Sequence, residues 1–150
     1  MTGISIDHDA WVFIGDGEKA LVFRNEGDKD YPNLQVIRHV QSDNPKTSEQ
    51  GTDAPGRFND GPGPQRSAAE TTDWHTLEKH RFAKDMADML YKAAHRGDFK
   101  KLVVAAPPMI LGDLRKAFHK EVKSRIVAEV DKELTGHPPH EIEKILANIH

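Results

Sequence analysis

The chain has 150 residues, no cysteine, 24 Asp and Glu against 21 Lys and Arg, and a formal net charge of −3. That length fits one domain able to bury ~70% of its unfolded surface without a disulfide or metal staple. The missing thiols exclude thiolate catalysis, zinc–thiolate sites and a disulfide framework, and the small acidic excess means that any contact with nucleic acid or acidic membrane must be local.

The start, MTGISIDHDAWVFIGDGEK, has no basic region followed by an apolar run, and no stretch approaches the ~20 apolar residues of a spanning helix. A cytoplasmic protein with no membrane insertion is therefore expected. Trp11 to Ile14 and Lys19 to Phe23 are short runs rich in β-branched and aromatic residues, joined across Gly15-Asp16-Gly17-Glu18. Asp-Gly is a hairpin signal, so the two read as an antiparallel pair. Leu34 to Val40 follows Tyr31-Pro32-Asn33 and places Leu34, Val36 and Val40 on one face and Gln35, Ile37 and His39 on the other, a third, two-sided strand.

From about Gln41 to Asp73 the composition turns polar and breaker-rich, most of all in GRFNDGPGPQRSAAE, residues 56–70. Glycines open backbone angles closed to other residues, and Pro62 and Pro64 remove amide donors. This segment reads as a long loop, either functional or disordered. A helix is expected from about Asp73, with Phe82, Met86, Met89, Leu90 and Ala93 at spacings of three and four and a stop at Arg96-Gly97. Leu102 to Ala106 is a continuous apolar run bounded by Lys100-Lys101 and Pro107-Pro108, as for a strand buried on both faces. A second helix carries Leu111, Leu114, Phe118 and Val122; Arg125 to Val130 is a fifth strand. Pro138-Pro139 then open a last helix with Ile142, Ile145, Leu146 and Ile149 on one face. Three strands followed by alternating helix and strand predict an α/β fold. The expected closure is a ribonuclease H-like three-layer sandwich with a mixed five-stranded sheet, one domain over residues 1–150, and a loop insertion at about 41–73.

That topology suggests two-metal phosphodiester cleavage, which needs several acids converging from strand ends on cations ~3.5 to 4 Å apart. WVFI and LVVAAPP contain none, and Asp16 reads as a turn residue. Glu70, Asp73 and Glu78 fall around the expected helix start, where acids complement the macrodipole. His75 and His80 are five apart and do not form the i, i+4 pair of zinc proteases. His137 and His140 flank the paired prolines as helix-entry residues, and no nucleophile elbow accompanies Ser67, Thr71 or Thr72. No metal or cofactor is expected. Basic residues cluster late, and Lys100, Lys101, Arg115 and Lys116 are candidate phosphate contacts. The alternative is the wet face of an amphipathic helix, since Asp98, Asp113 and Glu121 are interspersed.

Several ordered blocks, WVFIGDGEKALVF, APGRF, QRSAAE, HRFAKDMADML, LVVAAPPMILGDLR and ELTGHPPHEIEKIL, resemble the host attachment protein family. This bacterial group is also described as single-domain relatives of archaeo-eukaryotic peptide release factors. The resemblance implies a genetic role in attachment of bacteria to host cells. The release-factor relationship further implies a loop that presents Gly-Gly-Gln to the peptidyl-tRNA ester and helps place the attacking water. The matching position is Gly63-Pro64-Gln65, where Pro64 replaces the second glycine, deletes an amide donor and biases Gly63 toward extended geometry. The length leaves no room for separate codon-reading and partner-binding domains, so ordinary stop-codon termination is not expected.

Three functions follow as expectations. One is a ribosome-, tRNA- or RNA-facing module whose loop contacts run through Arg57, Phe58, Gly61, Gly63, Gln65 and Arg66. Another is a protein-interaction module whose loop folds on a partner; residues 41–73 hold six acids against three bases, so that loop on average repels phosphate. The third is a peptidyl-tRNA ester hydrolase, for which Gln65 is the catalytic candidate.

Overall fold

A computed structural model of the protein describes residues 4–42 and 63–148, with side chains in the second stretch from residue 76 onward. Strands β1 (Trp11–Gly15) and β2 (Lys19–Asn25) pair antiparallel, from Trp11 opposite Arg24 to Gly15 opposite Ala20. The turn between them works as Asp-Gly predicts: Gly17 takes φ +98°, and Asp16 Oδ1 accepts the backbone N–H groups of Glu18 and Lys19, each at 2.9 Å. β3 (Leu34–Gln41) pairs antiparallel with β2 at the edge; β4 (Leu102–Ala105) and β5 (Ile126–Val130) run parallel to β1 on the other side. The order is β3-β2-β1-β4-β5, a mixed five-stranded sheet as expected. Helices α1 (Gly63–Arg96), α2 (Pro108–Ala117), α3 (Lys120–Lys123) and α4 (Pro139–Ala147) complete the α/β fold.

The core lies on both faces of this sheet. On one, Phe13, Leu102 and Val104 pack with Phe82, Met86 and Leu90 of α1 and Leu111 and Leu114 of α2. On the other, Val12, Ile14, Val103 and Ala105 pack with Ile142 and Leu146 of α4 and with Ile6 and Ala10 of the incoming chain. Every residue of β1 and β4 is buried, which is why both read as uninterrupted apolar runs. α1 ends where Gly97 takes φ +80°, its N–H bonding to Ala94 O and that of Asp98 to Ala93 O, both at 2.9 Å. This paired closure is the reason glycine marks the stop.

Three expectations are corrected. α1 begins at Gly63 and not near Asp73, so Gly63, Gln65 and Arg66 belong to its first turns instead of a loop. Pro64 is tolerated there because first-turn amides have no intrahelical acceptor, and QRSAAE is rich in good helix formers. Glu70, Asp73 and Glu78 consequently lie inside the helix. The single second helix is two: the chain leaves α2 at Phe118 (ψ 133°), and His119 caps α3 by accepting the Glu121 N–H at 3.1 Å. β3 is not evenly two-sided. A register shift between Val22 and Phe23 sets Phe23 opposite Val36 and Val22 opposite Arg38, so Val36 and Val40 fall on different faces. Val36 and Ile37 stay 48% and 38% exposed on this edge strand.

A side chain that no local pattern singles out holds the turn into β3. Asn25 is fully buried, and its Nδ2 donates to the carbonyls of Ile6 (2.7 Å), Asp7 (3.2 Å) and Asp28 (3.2 Å). Its Oδ1 accepts the N–H groups of Gly27 (2.9 Å) and Asn33 (2.8 Å). Gly27 is required beside it, because a Cβ there would stand 2.1 Å from Tyr31 O. Replacing Asn25 with Ala strands buried donors and acceptors, and urea unfolding should show a loss of about 2–4 kcal/mol. A loss below about 1 kcal/mol would show that this network does not hold the turn.

Candidate functional site

The parallel strands β1, β4 and β5 deliver their carboxyl ends to one edge of the sheet, the place where open α/β sheets collect polar chemistry. Here Asp16, immediately after β1, uses Oδ1 for its own turn and accepts the Thr135 hydroxyl on Oδ2 at 3.0 Å. That bond ties the segment after β5 to the β1–β2 turn, and the Glu133 carboxylate shares the same hydroxyl proton. Gly17 sits against α1 and α2: a Cβ on it would meet Ile110 Cδ1 at 3.1 Å and Lys79 Cγ at 3.2 Å. One helical position on, His80 Nδ1 lies 2.5 Å from Asp113 Oδ2, joining α1 to α2. These polar groups are spent on one another. Among the described residues no group of three or more His, Asp or Glu is arranged to hold a metal ion.

α1 runs against β4, so its amino-terminal part extends beyond this edge. Gln65 stands fourteen residues before Lys79, about 21 Å along the helix axis from the β1–β2 turn at 1.5 Å per residue. The edge therefore clamps α1 through Lys79, His80 and Asp113, and the helix tip lies well clear of the clamp. Geometry of this kind positions a projecting element; among the described residues this edge shows no nucleophile, base and oxyanion set within hydrogen-bond reach.

The sequence profile of the bacterial archaeo-eukaryotic release factor family 12 matches residues 9–146, from the lead into β1 to the last turn of α4. The chain belongs to this family. No curated protein matches it. Among solved structures, that of an archaeal translation termination factor, aRF1, is similar with a TM-score of 0.46 and 12% identity, over 83% of this chain and 30% of that one. The chain thus spans under a third of the length of that factor.

The family match contains every candidate site residue named from the sequence. Gly63, Gln65 and Arg66 are in the first turns of α1; Arg57, Phe58 and Gly61 lie outside the described residues. Of the candidate phosphate contacts, Lys101 donates to Asp7, and Arg115 Nε donates to Glu129 Oε1 at 2.7 Å. Lys100 and Lys116 are exposed. His137 pairs with Glu141 across the entry to α4, in keeping with its reading as a helix-entry residue. The Asp16–Thr135 and His80–Asp113 contacts were not legible, since their partners are 119 and 33 positions apart. Among the described residues no helix is long and apolar enough to cross a membrane.

The Lys101 ammonium donates to Asp7 and holds its carboxyl below the ordinary value of 3.8; burial opposes this, and the charges of Lys101 and Lys29 add to the lowering. A depressed carboxylate contributes stability above its unfolded pKa, and that contribution is lost as pH falls through the folded value. An NMR titration should place the Asp7 midpoint below 3.8, and Lys101→Met should raise it. An unchanged midpoint in the variant would remove Lys101 as the cause.

Proposed function

We propose that this chain is a cytoplasmic, translation-associated module that contacts the ribosome or its RNA through residues 57–66, the segment leading into the tip of α1. The observation that carries this reading is the release-factor family match over residues 9–146. Its geometric support is the clamped α1, which sets Gly63-Pro64-Gln65 at the end of a projecting helix. The sheet order, with only β2 running against the rest, supports a ribonuclease H-like three-layer sandwich. Nuclease chemistry is not part of the proposal, because β1 and β4 carry no acid and the Asp16 carboxylate is committed to its turn and to Thr135.

Binding fits Gln65 better than hydrolysis does. Pro64 removes the amide donor that a second glycine would supply beside Gln65, so the backbone arrangement for ester hydrolysis is incomplete there. Attachment of bacteria to host cells, implied by the sequence resemblance, then lies downstream of translation.

Ribosome co-sedimentation at physiological salt should recover the wild-type chain. Arg57→Ala, Gln65→Ala and Arg66→Ala together should weaken recovery by about tenfold or more, the equivalent of ~1.4 kcal/mol, with little change in melting temperature. A wild-type chain left wholly in the supernatant contradicts the proposal. Retention after ribonuclease treatment favours a protein partner instead. Peptidyl-tRNA turnover that disappears in Gln65→Ala would replace binding with hydrolysis.

A further inference from the structure

Charge is unevenly distributed along the chain. Residues 92–125 hold nine Lys and Arg against three Asp and Glu, an excess of +6 in a chain whose total is −3. The fold gathers part of this excess where the last turns of α1 and α2 meet α3, at the end of the sheet opposite the tip of α1. Val122 is fully buried and seats α3 on the core. The Tyr91 ring of α1 lies 4.2 Å from His119, between α2 and α3, and 5.9 Å from His95. With Val122 turned inward, Lys120 and Lys123 are exposed neighbours at i and i+3, and Lys116 is exposed in the last turn of α2.

Other described lysines, such as Lys84 and Lys132, also lack an ion pair; Lys116, Lys120 and Lys123 are set apart by falling within eight residues of chain with all three side chains exposed. Arg24, Lys92, Arg96, Lys101 and Arg115 each have a carboxylate partner. Glu121, the acid within α3, lies 3.5 Å from both His95 and Arg125. Among the described residues Lys116, Lys120 and Lys123 have no ion pair. Three unmatched ammonium groups over eight residues of chain suit a polyanion, which gains affinity by shedding condensed counterions. A lipid surface fits less well, because none of the large exposed hydrophobic side chains stands in the last turns of α1 or α2 or in α3.

We infer that Lys116, Lys120 and Lys123 form a second, sequence-independent contact with RNA phosphates, distinct from residues 57–66. The inference rests on the translation-associated reading. α1 is 34 residues, about 50 Å long, so Gly63-Pro64-Gln65 and this surface stand at its opposite ends, a spacing that suits two points on a large RNA assembly.

The test measures binding of labelled total tRNA against salt concentration for the full chain, K116A/K120A/K123A, K116Q/K120Q/K123Q, and a control carrying K84A/K132A at two exposed lysines elsewhere. Removing three phosphate contacts should flatten the plot of log K against log salt by between about two and three, and weaken binding at least about tenfold at fixed salt. Both triple variants should behave alike, unfold at the wild-type midpoint and differ from the control. Unchanged slope and affinity in the triple variants, with binding lost in R57A/R66A, would overturn this surface while leaving the translation reading intact. No wild-type binding to tRNA or to ribosomes at about 50 mM salt would overturn both.

Discussion

Burial of β1 and β4 on both faces is the constraint on which this protein is organised. Val12, Phe13 and Ile14 alternate between two separate apolar clusters, and Val103, Val104 and Ala105 do the same beside them. Each of the Val, Ile and Phe side chains contributes ~1.5–3 kcal/mol when taken from water, and a charged group at any of these positions would forfeit that and add a desolvation cost. The strands at the centre of the sheet therefore cannot carry acids. Whatever the molecule does must be done at strand ends, on helix surfaces or in the connection between β3 and α1.

The same constraint explains the treatment of α1. Its Phe82, Met86 and Leu90 are held by the sheet, and the Gly17 turn and the His80–Asp113 contact hold it at the carboxyl edge. A scaffold that spends polar edge groups on fixing one long helix is suited to presenting that helix, as the proposed translation-associated role requires. The two proposed contacts differ physically: residues 57–66 supply mixed polar chemistry, whereas α3 and the end of α2 supply charge.

Local signals were legible in the sequence because their causes are local. Asp16-Gly17 makes its turn with amides two and three residues away, Gly97 closes α1 within one turn, and LVVA is apolar throughout because both sides are covered. The start of α1 was misread because breaker composition ends at Pro64, while the polar SAAETTD that follows is compatible with helix. The unequal faces of β3 depend on a register shift in its pairing with β2 that leaves Ile37 unpaired, which strict alternation cannot reveal. Asn25 looks like any turn residue, yet it binds Ile6 19 positions away, and Leu34 N–H reaches Glu143 across 109. Candidate cations were chosen by clustering along the chain. Folding then paired Lys101 and Arg115 with Asp7 and Glu129, and left Lys120 and Lys123 beside Lys116.

Hydrogen–deuterium exchange of the full chain, free and with excess ribosomes, tests the central claim that a dry sheet serves as scaffold for contacts at the two ends of α1. Added protection should concentrate in residues 57–66 and 116–123, with β1 and β4 exchanging slowly and equally in both states. Protection confined to the exposed edge around Val36 and Ile37, or no change anywhere, would contradict it.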